Sequence, residues 1–185
     1  MRSSAVLLSI LLLLGGCLNL NIRGNVSVGS STSGGYEAIG RPSDLGRYHG
    51  IRVESVRVRD GVRPPGDLPG QIRRDFMRTF EKRTGLTETA SPALVLATEL
   101  VELRYEGGSE ADREWSSQTV LHARLLDAET GRAAAEARLI CRVRGADAND
   151  PDRISRAATK ALRRWLEDGG VRMDKEKDEE EEDES

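Results

Sequence analysis

The chain has 185 residues, enough for one domain plus extensions, and only 4% are aromatic against 37% hydrophobic, so any core is mostly aliphatic and small. Its formal net charge of -3 is unevenly spread: residues 172–185 carry nine acids against three bases, whereas residues 18–171 carry 22 acids and 24 bases. Arginine outnumbers lysine 24 to 4, but the bases are interleaved with acids, which argues against the clustered basic stripe of a nucleic-acid binder.

The chain opens with Arg2 and a ten-residue apolar run over residues 5–14, AVLLSILLLL. A membrane-spanning helix needs about 20 apolar residues, so this run fits the core of an export signal instead. Leu14, Gly15, Gly16 and Cys17 follow. This tetrapeptide resembles the lipobox of bacterial lipoproteins: an aliphatic residue, two small residues, then cysteine. The resemblance implies a signal peptide over residues 1–16, diacylglyceryl transfer to the Cys17 thiol, cleavage before it, and acylation of the new amino group. Each buried CH₂ adds about 0.8 kcal/mol of membrane affinity, and two or more chains hold firmly. Leu18 follows the cysteine instead of Asp, which by resemblance to enterobacterial sorting implies the outer membrane, facing the periplasm. Lipidation of Cys17 leaves Cys141 unpaired, with no intramolecular disulfide. Cys141 lies in phase with Leu139 and Val143 and reads as a small buried side chain on a strand.

Residues 17–47 read as the lipidated cysteine and a flexible tether. Residues 24–40, GNVSVGSSTSGGYEAIG, are rich in Gly and Ser, and thirty residues of coil have an r.m.s. reach of roughly 30 Å. A short edge hairpin through residues 25–28 is the alternative. The globular domain is expected over residues 48–170. Residues 51–58 (IRVESVRV) alternate with a phase slip near Glu54 and Ser55, which predicts a strand with a bulge. Asp67 or Leu68 caps a helix with Pro69 in its first turn, and Ile72, Phe76 and Phe80 form its apolar stripe. Gly85 ends it. Residues 94–105 are apolar on both phases and predict a central strand. Residues 117–126 and 133–144 predict two more, joined by a turn in which Gly131 takes a positive φ. The inward set of the last strand is Ala133, Ala135, Ala137, Leu139, Cys141 and Val143. Asn149, Asp150 and Pro151 open a closing helix with Ile154, Ala157, Ala158, Ala161, Leu162, Trp165 and Leu166 on its apolar face. Residues 171–185 read as an acidic disordered tail. The expected class is α+β, an antiparallel sheet of about four strands with two helices on one face, in the order β-α-β-β-β-α.

Three stretches carry a further likeness: LVLATELVEL, LLDAETGRAAAEARL and ISRAATKALRRWLED. Together they resemble a broad group of envelope lipoproteins similar to the TolB amino-terminal domain and the curli-secretion lipoprotein domain, over residues 51–168. The resemblance implies a non-enzymatic module that docks on other envelope components.

No catalytic constellation stands out. His49 and His122 are distant and lack the three or four ligands a zinc site needs, and no phosphate-binding loop or nucleophile elbow is present. Glu99 and Glu102 are expected on opposite faces of one strand. No enzyme activity, metal or cofactor is expected. Arg124, Arg138, Arg142 and Arg144 are expected to share a sheet face able to meet an anionic partner, or to lie as a solvated face balanced by Glu99, Glu102 and Glu136. The leading function is a membrane-anchored envelope interaction or assembly module with an envelope protein partner. The alternative is an accessory lipoprotein of an export or lipid-transport system that binds a lipid, and a hydrolase ranks third. Oligomeric state is not legible in the sequence.

Overall fold

A computed structural model describes residues 31–40, 44–107 and 115–174. One sheet of six strands carries two helices, an α+β architecture. The strands are β1 (Thr32–Ala38), β2 (Gly50–Val53), β3 (Arg57–Val58), β4 (Ala93–Glu106), β5 (Ser116–Asp127) and β6 (Ala133–Arg144). The helices are α1 (Leu68–Arg83) and α2 (Pro151–Asp168). The spatial order is β1-β6-β5-β4-β2, with β3 also paired to β4. Both helices cover the same face, where side chains from both helices and from all strands except the two-residue β3 form one hydrophobic core.

The local signals act as expected. The Asp67 carboxylate caps α1 by accepting from the Gly70 N–H at 3.2 Å, and Ile72, Phe76 and Phe80 are buried core residues. The Asp150 carboxylate caps α2 by accepting from the Asp152 N–H at 3.0 Å, and all seven residues of the apolar stripe expected on α2 are buried. Between β5 and β6, Gly131 takes a φ of +66°, which an L side chain rarely adopts. The Asp127 carboxylate stabilises that turn by accepting from the Glu129 and Thr130 N–H groups.

Four expectations change. The sheet has six strands, not about four, and one of the extra strands lies in the expected tether. β1 pairs antiparallel with β6 from Thr32↔Val143 to Ala38↔Ala137. Its sequence, TSGGYEA, shows no apolar alternation because its helix side is filled by close backbone approach. A Cβ on Gly34 would lie 2.1 Å from the Ala157 carbonyl oxygen and 2.6 Å from the Ala161 nitrogen. Arg164 Nη1 donates to the Gly34 carbonyl at 2.6 Å, and the Tyr36 hydroxyl donates to Asp168. Burial and the Asp168 carboxylate push the Tyr36 phenol up to about 12. Fourteen residues therefore separate Cys17 from Thr32.

The sheet is also mixed, not antiparallel throughout. β2 and β3 run parallel to β4, because α1 lies in the connection and returns the chain in the same direction. The phase slip at Glu54–Ser55 is the gap between β2 and β3. Third, Ala133 is exposed, since a register shift between Leu125 and Leu126 turns Ala134 and Ala135 inward instead. Last, the domain continues past Gly170: Val171 is buried, Met173 packs on the core, and the Asp174 N–H donates to the Arg83 carbonyl at 2.8 Å. Residues 175–185 lie outside the described residues.

Candidate functional site

The sheet face opposite the helices is open among the described residues. Its side chains stand in rows set by register. One row crosses five strands: Arg57, Glu99, His122, Arg138 and Glu37. The next reads Glu102, Val120, Ile140, Gly35, and beyond it Arg104, Gln118, Arg142, Ser33. On the other side, Ala97, Arg124 and Glu136 make a fourth row, and Arg52 stands beside Val95.

The four arginines expected together do share this face. Arg138 donates to Glu37 at 3.3 Å, and Arg142 to Gln118 Oε1 at 3.1 Å. Arg124 and Arg144 are exposed and have no ion-pair partner among the described residues. They do not form a purely cationic patch. Glu136 sits beside Arg124, and its Oε1 lies 2.5 Å from His122 Nε2. Glu106 is cross-strand from Ser116, which is itself opposite Arg144.

Glu99 and Glu102 face the same side, contrary to expectation. The β4–β5 register shifts between Leu100 and Glu102, so one extra residue, Val101, inverts the alternation. Glu99 pairs with Arg59 at 3.4 Å and Glu102 with Arg104 at 2.6 Å. Each carboxylate is thus held by an arginine, and neither is shared with the other.

Other candidates fall elsewhere. His49 is exposed beside β2, far in sequence and topology from His122. Cys141 is 1% exposed, and burial pushes its thiol up to about 12. It has little thiolate with which to act as a nucleophile. Among the described residues, no three His, Cys, Asp or Glu side chains converge to hold a metal ion. Tyr48 is buried and donates to Asp127 at 3.0 Å while accepting from Arg47 at 2.8 Å. Hydrogen bonds from the Thr130 N–H and hydroxyl, then from Tyr48, hold the Asp127 carboxyl below the usual range. This network ties the β5–β6 turn to the segment before β2. Cys17 lies outside the described residues.

A shallow cavity of about 230 Å³ opens beside β2, lined by Ile51, Val53, Met77, Phe80 and Leu86, with Glu81 and Glu88 among its walls. Small-molecule sites usually fall at about 300–1,000 Å³. No helix among the described residues is long and apolar enough to cross a membrane.

One feature of the open face was not legible in the sequence. Val95 and Ala97 are each 7% exposed, yet they lie outside the helix-side core. Arg52 and Arg57 flank them from β2 and β3, and Arg124 flanks them from β5. The aliphatic stems of such arginines can cover apolar floor residues while their heads stay in water. Arg52 and Arg57, like Arg124, are exposed and without an ion-pair partner among the described residues.

A two-layer domain of this kind, with a mixed sheet closed by helices on one face, has counterparts among solved structures. The chain is similar to the PelC dodecamer from Paraburkholderia phytofirmans, with 17% identity and a TM-score of 0.52, over 75% of this chain and 99% of that one. A point variant of the same dodecamer aligns at a TM-score of 0.51 and 17% identity, over 75% of this chain and 98% of that one. A candidate lipoprotein of Caulobacter crescentus aligns at 0.41 and 19% identity, over 63% of this chain and 88% of that one. The chain shares the fold of PelC. No protein-family model matches the sequence, and no curated protein sequence matches it.

Proposed function

We propose that this protein is a lipid-anchored envelope lipoprotein, held through Cys17, whose domain is a non-enzymatic assembly module that associates with copies of itself. One observation carries the assembly part. The shared fold spans 99% of a PelC chain that forms a dodecamer, so in that protein almost no chain outside this fold is left to build the assembly. Contacts within a homo-oligomer use either one self-complementary patch or two different patches of each subunit. The open sheet face, with charges of both signs in register, is a surface of the right character for one of them. The location follows from the fit of residues 14–17 to the lipobox and is taken to be the outer membrane, facing the periplasm. The lipid-carrier alternative is weakened by the cavity beside β2, whose volume of about 230 Å³ falls below the usual range of small-molecule sites. No residue is assigned a catalytic role.

Native mass measurement on the detergent-solubilised protein tests assembly. A discrete oligomer is expected, and a monomer at micromolar concentration overturns the proposal. Labelling cells with an alkynyl fatty acid tests the anchor: wild type takes the label and Cys17→Ser does not. Equal label on both would refute the anchor.

A further inference from the structure

We infer that the acidic carboxy-terminal segment of this chain, residues 175–185, docks on its own open sheet face, at the arginines around Val95 and Ala97. The segment holds eight acids against two lysines. It leaves the domain at Asp174, whose N–H is bonded to the Arg83 carbonyl at the end of α1. Four residues after Arg83, Thr87 accepts from the Ile51 N–H at 3.0 Å and so lies along the outer edge of β2. The segment therefore departs beside the β2 edge of the sheet. Arg52 on β2 and Arg57 on β3 stand on the open face just around that edge.

Reach is sufficient. Eleven residues extend to roughly 36 Å, and as a coil they span about 18 Å. Rounding one strand edge and crossing to Arg124 on β5 takes about three strand spacings of 4.8 Å.

The receiving surface has the complementary charge. Arg52, Arg124 and Arg57 are level with Val95, Ala97 and Glu99 of β4 in turn. They form a triangle of exposed guanidinium groups on both sides of that strand. Two carboxylates of this area are already engaged, Glu99 by Arg59 and Glu136 by His122; exposed Glu54, between Arg52 and Arg57 in the chain, is outnumbered there by the three arginines. The floor is apolar and closed. Three fixed arginines over such a floor suit an extended run of carboxylates, because guanidinium forks pair with carboxylates in water-exposed geometry. The far end of the same face is less suitable. There, Arg142 is engaged by Gln118 and Arg104 by Glu102. The inference depends on neither the lipid anchor nor self-assembly. It makes the tail an internal competitor for any anionic partner of this face.

The test uses the full chain with every acid from 176 to 184 changed to its amide, and a fluorescent deca-glutamate peptide as the probe. Anisotropy titrations at low ionic strength should show the amide-tailed chain binding the probe about tenfold more tightly than the unmodified chain. High salt should erase the difference. Adding Arg52→Gln, Arg57→Gln and Arg124→Gln to the amide-tailed chain should return affinity to the level of the unmodified chain. Arg142→Gln with Arg144→Gln should leave the gain in place. The inference is overturned if the amide tail leaves probe affinity unchanged, if the triple change fails to remove the gain, or if the Arg142 and Arg144 changes remove it equally. A difference that grows with protein concentration would mean that the tail docks on a second copy, and would overturn docking within one chain.

Discussion

The two faces of this sheet solve the same problem in different ways. On the helix side, Leu94, Leu96, Leu100, Leu121, Leu125 and Leu139 are all buried under α1 and α2. On the open side, Val95, Ala97 and Val120 are buried with no element above them among the described residues, and the shielding comes from charged side chains standing in rows. The first face stabilises by removing apolar area from water, at roughly 25 cal/mol per Å². The second gains little from each exposed ion pair, but keeps its charges available. Stability is thus concentrated on one face, and capacity for recognition on the other. Substitutions on the two faces should differ by several-fold in cost.

The largest effect is expected at Trp165, which is 2% exposed on the helix side. Trp165→Ala should cost about 3–5 kcal/mol, read as a shift of the urea midpoint. Trp115, 53% exposed, should cost only about 0.5 kcal/mol when changed to Ala. The opposite ranking would break the claim that stability is concentrated on the helix side. Next come two truncations. Ending the chain after residue 170 removes buried Val171 and the packing of Met173, and should cost about 1.5–3 kcal/mol. Ending it after residue 174 removes only the docked segment and should lower the thermal midpoint by a few degrees at low ionic strength, and by a degree or less at high salt. Gly34→Ala forces a methyl group into the α2 backbone and should cost about 1–3 kcal/mol. Gly35→Ala, where nothing lies within 4 Å of the added Cβ, should be neutral, and thermal melts of the pair separate close packing from backbone flexibility. The smallest effect is expected on the open face. Arg138→Ala breaks an exposed pair with Glu37 and should change stability by less than about 1 kcal/mol. A larger loss would show that the charged rows hold the sheet together.

Much of the helix side was legible in the sequence. Apolar residues at i, i+4 and i+8, a cap before proline, and a turn glycine are local signals, and they placed α1, α2 and the β5–β6 hairpin. β1 was not legible, because TSGGYEA has no alternation and its partner lies about a hundred residues away. Its one informative feature, Gly34, is explained only by the helix it touches. The parallel direction of β2 was missed for a similar reason: the alternation in IRVESVRV does not state which strand it joins. On the open face, period-two spacing correctly grouped Arg138, Arg142 and Arg144, and register added Arg124. Their partners were less accessible. Glu37 sits on the unrecognised strand, and the one-residue bulge at Val101 moved Glu102 to the face opposite the one expected.

The attachment of β1 also has a mechanical meaning. Among the described residues, the chain enters the sheet at Ser31, whose carbonyl accepts from the Arg144 N–H at 2.9 Å, and Thr32 begins β1. A tug there acts on a strand held by backbone bonds to β6 along one side, and by Arg164 and Asp168 of α2 at Gly34 and Tyr36. Tension is therefore divided between the sheet and the longest helix instead of falling on a loop. The first part to yield under load should be this edge strand, leaving β2–β6 and α1 in place as a body that can rebind it.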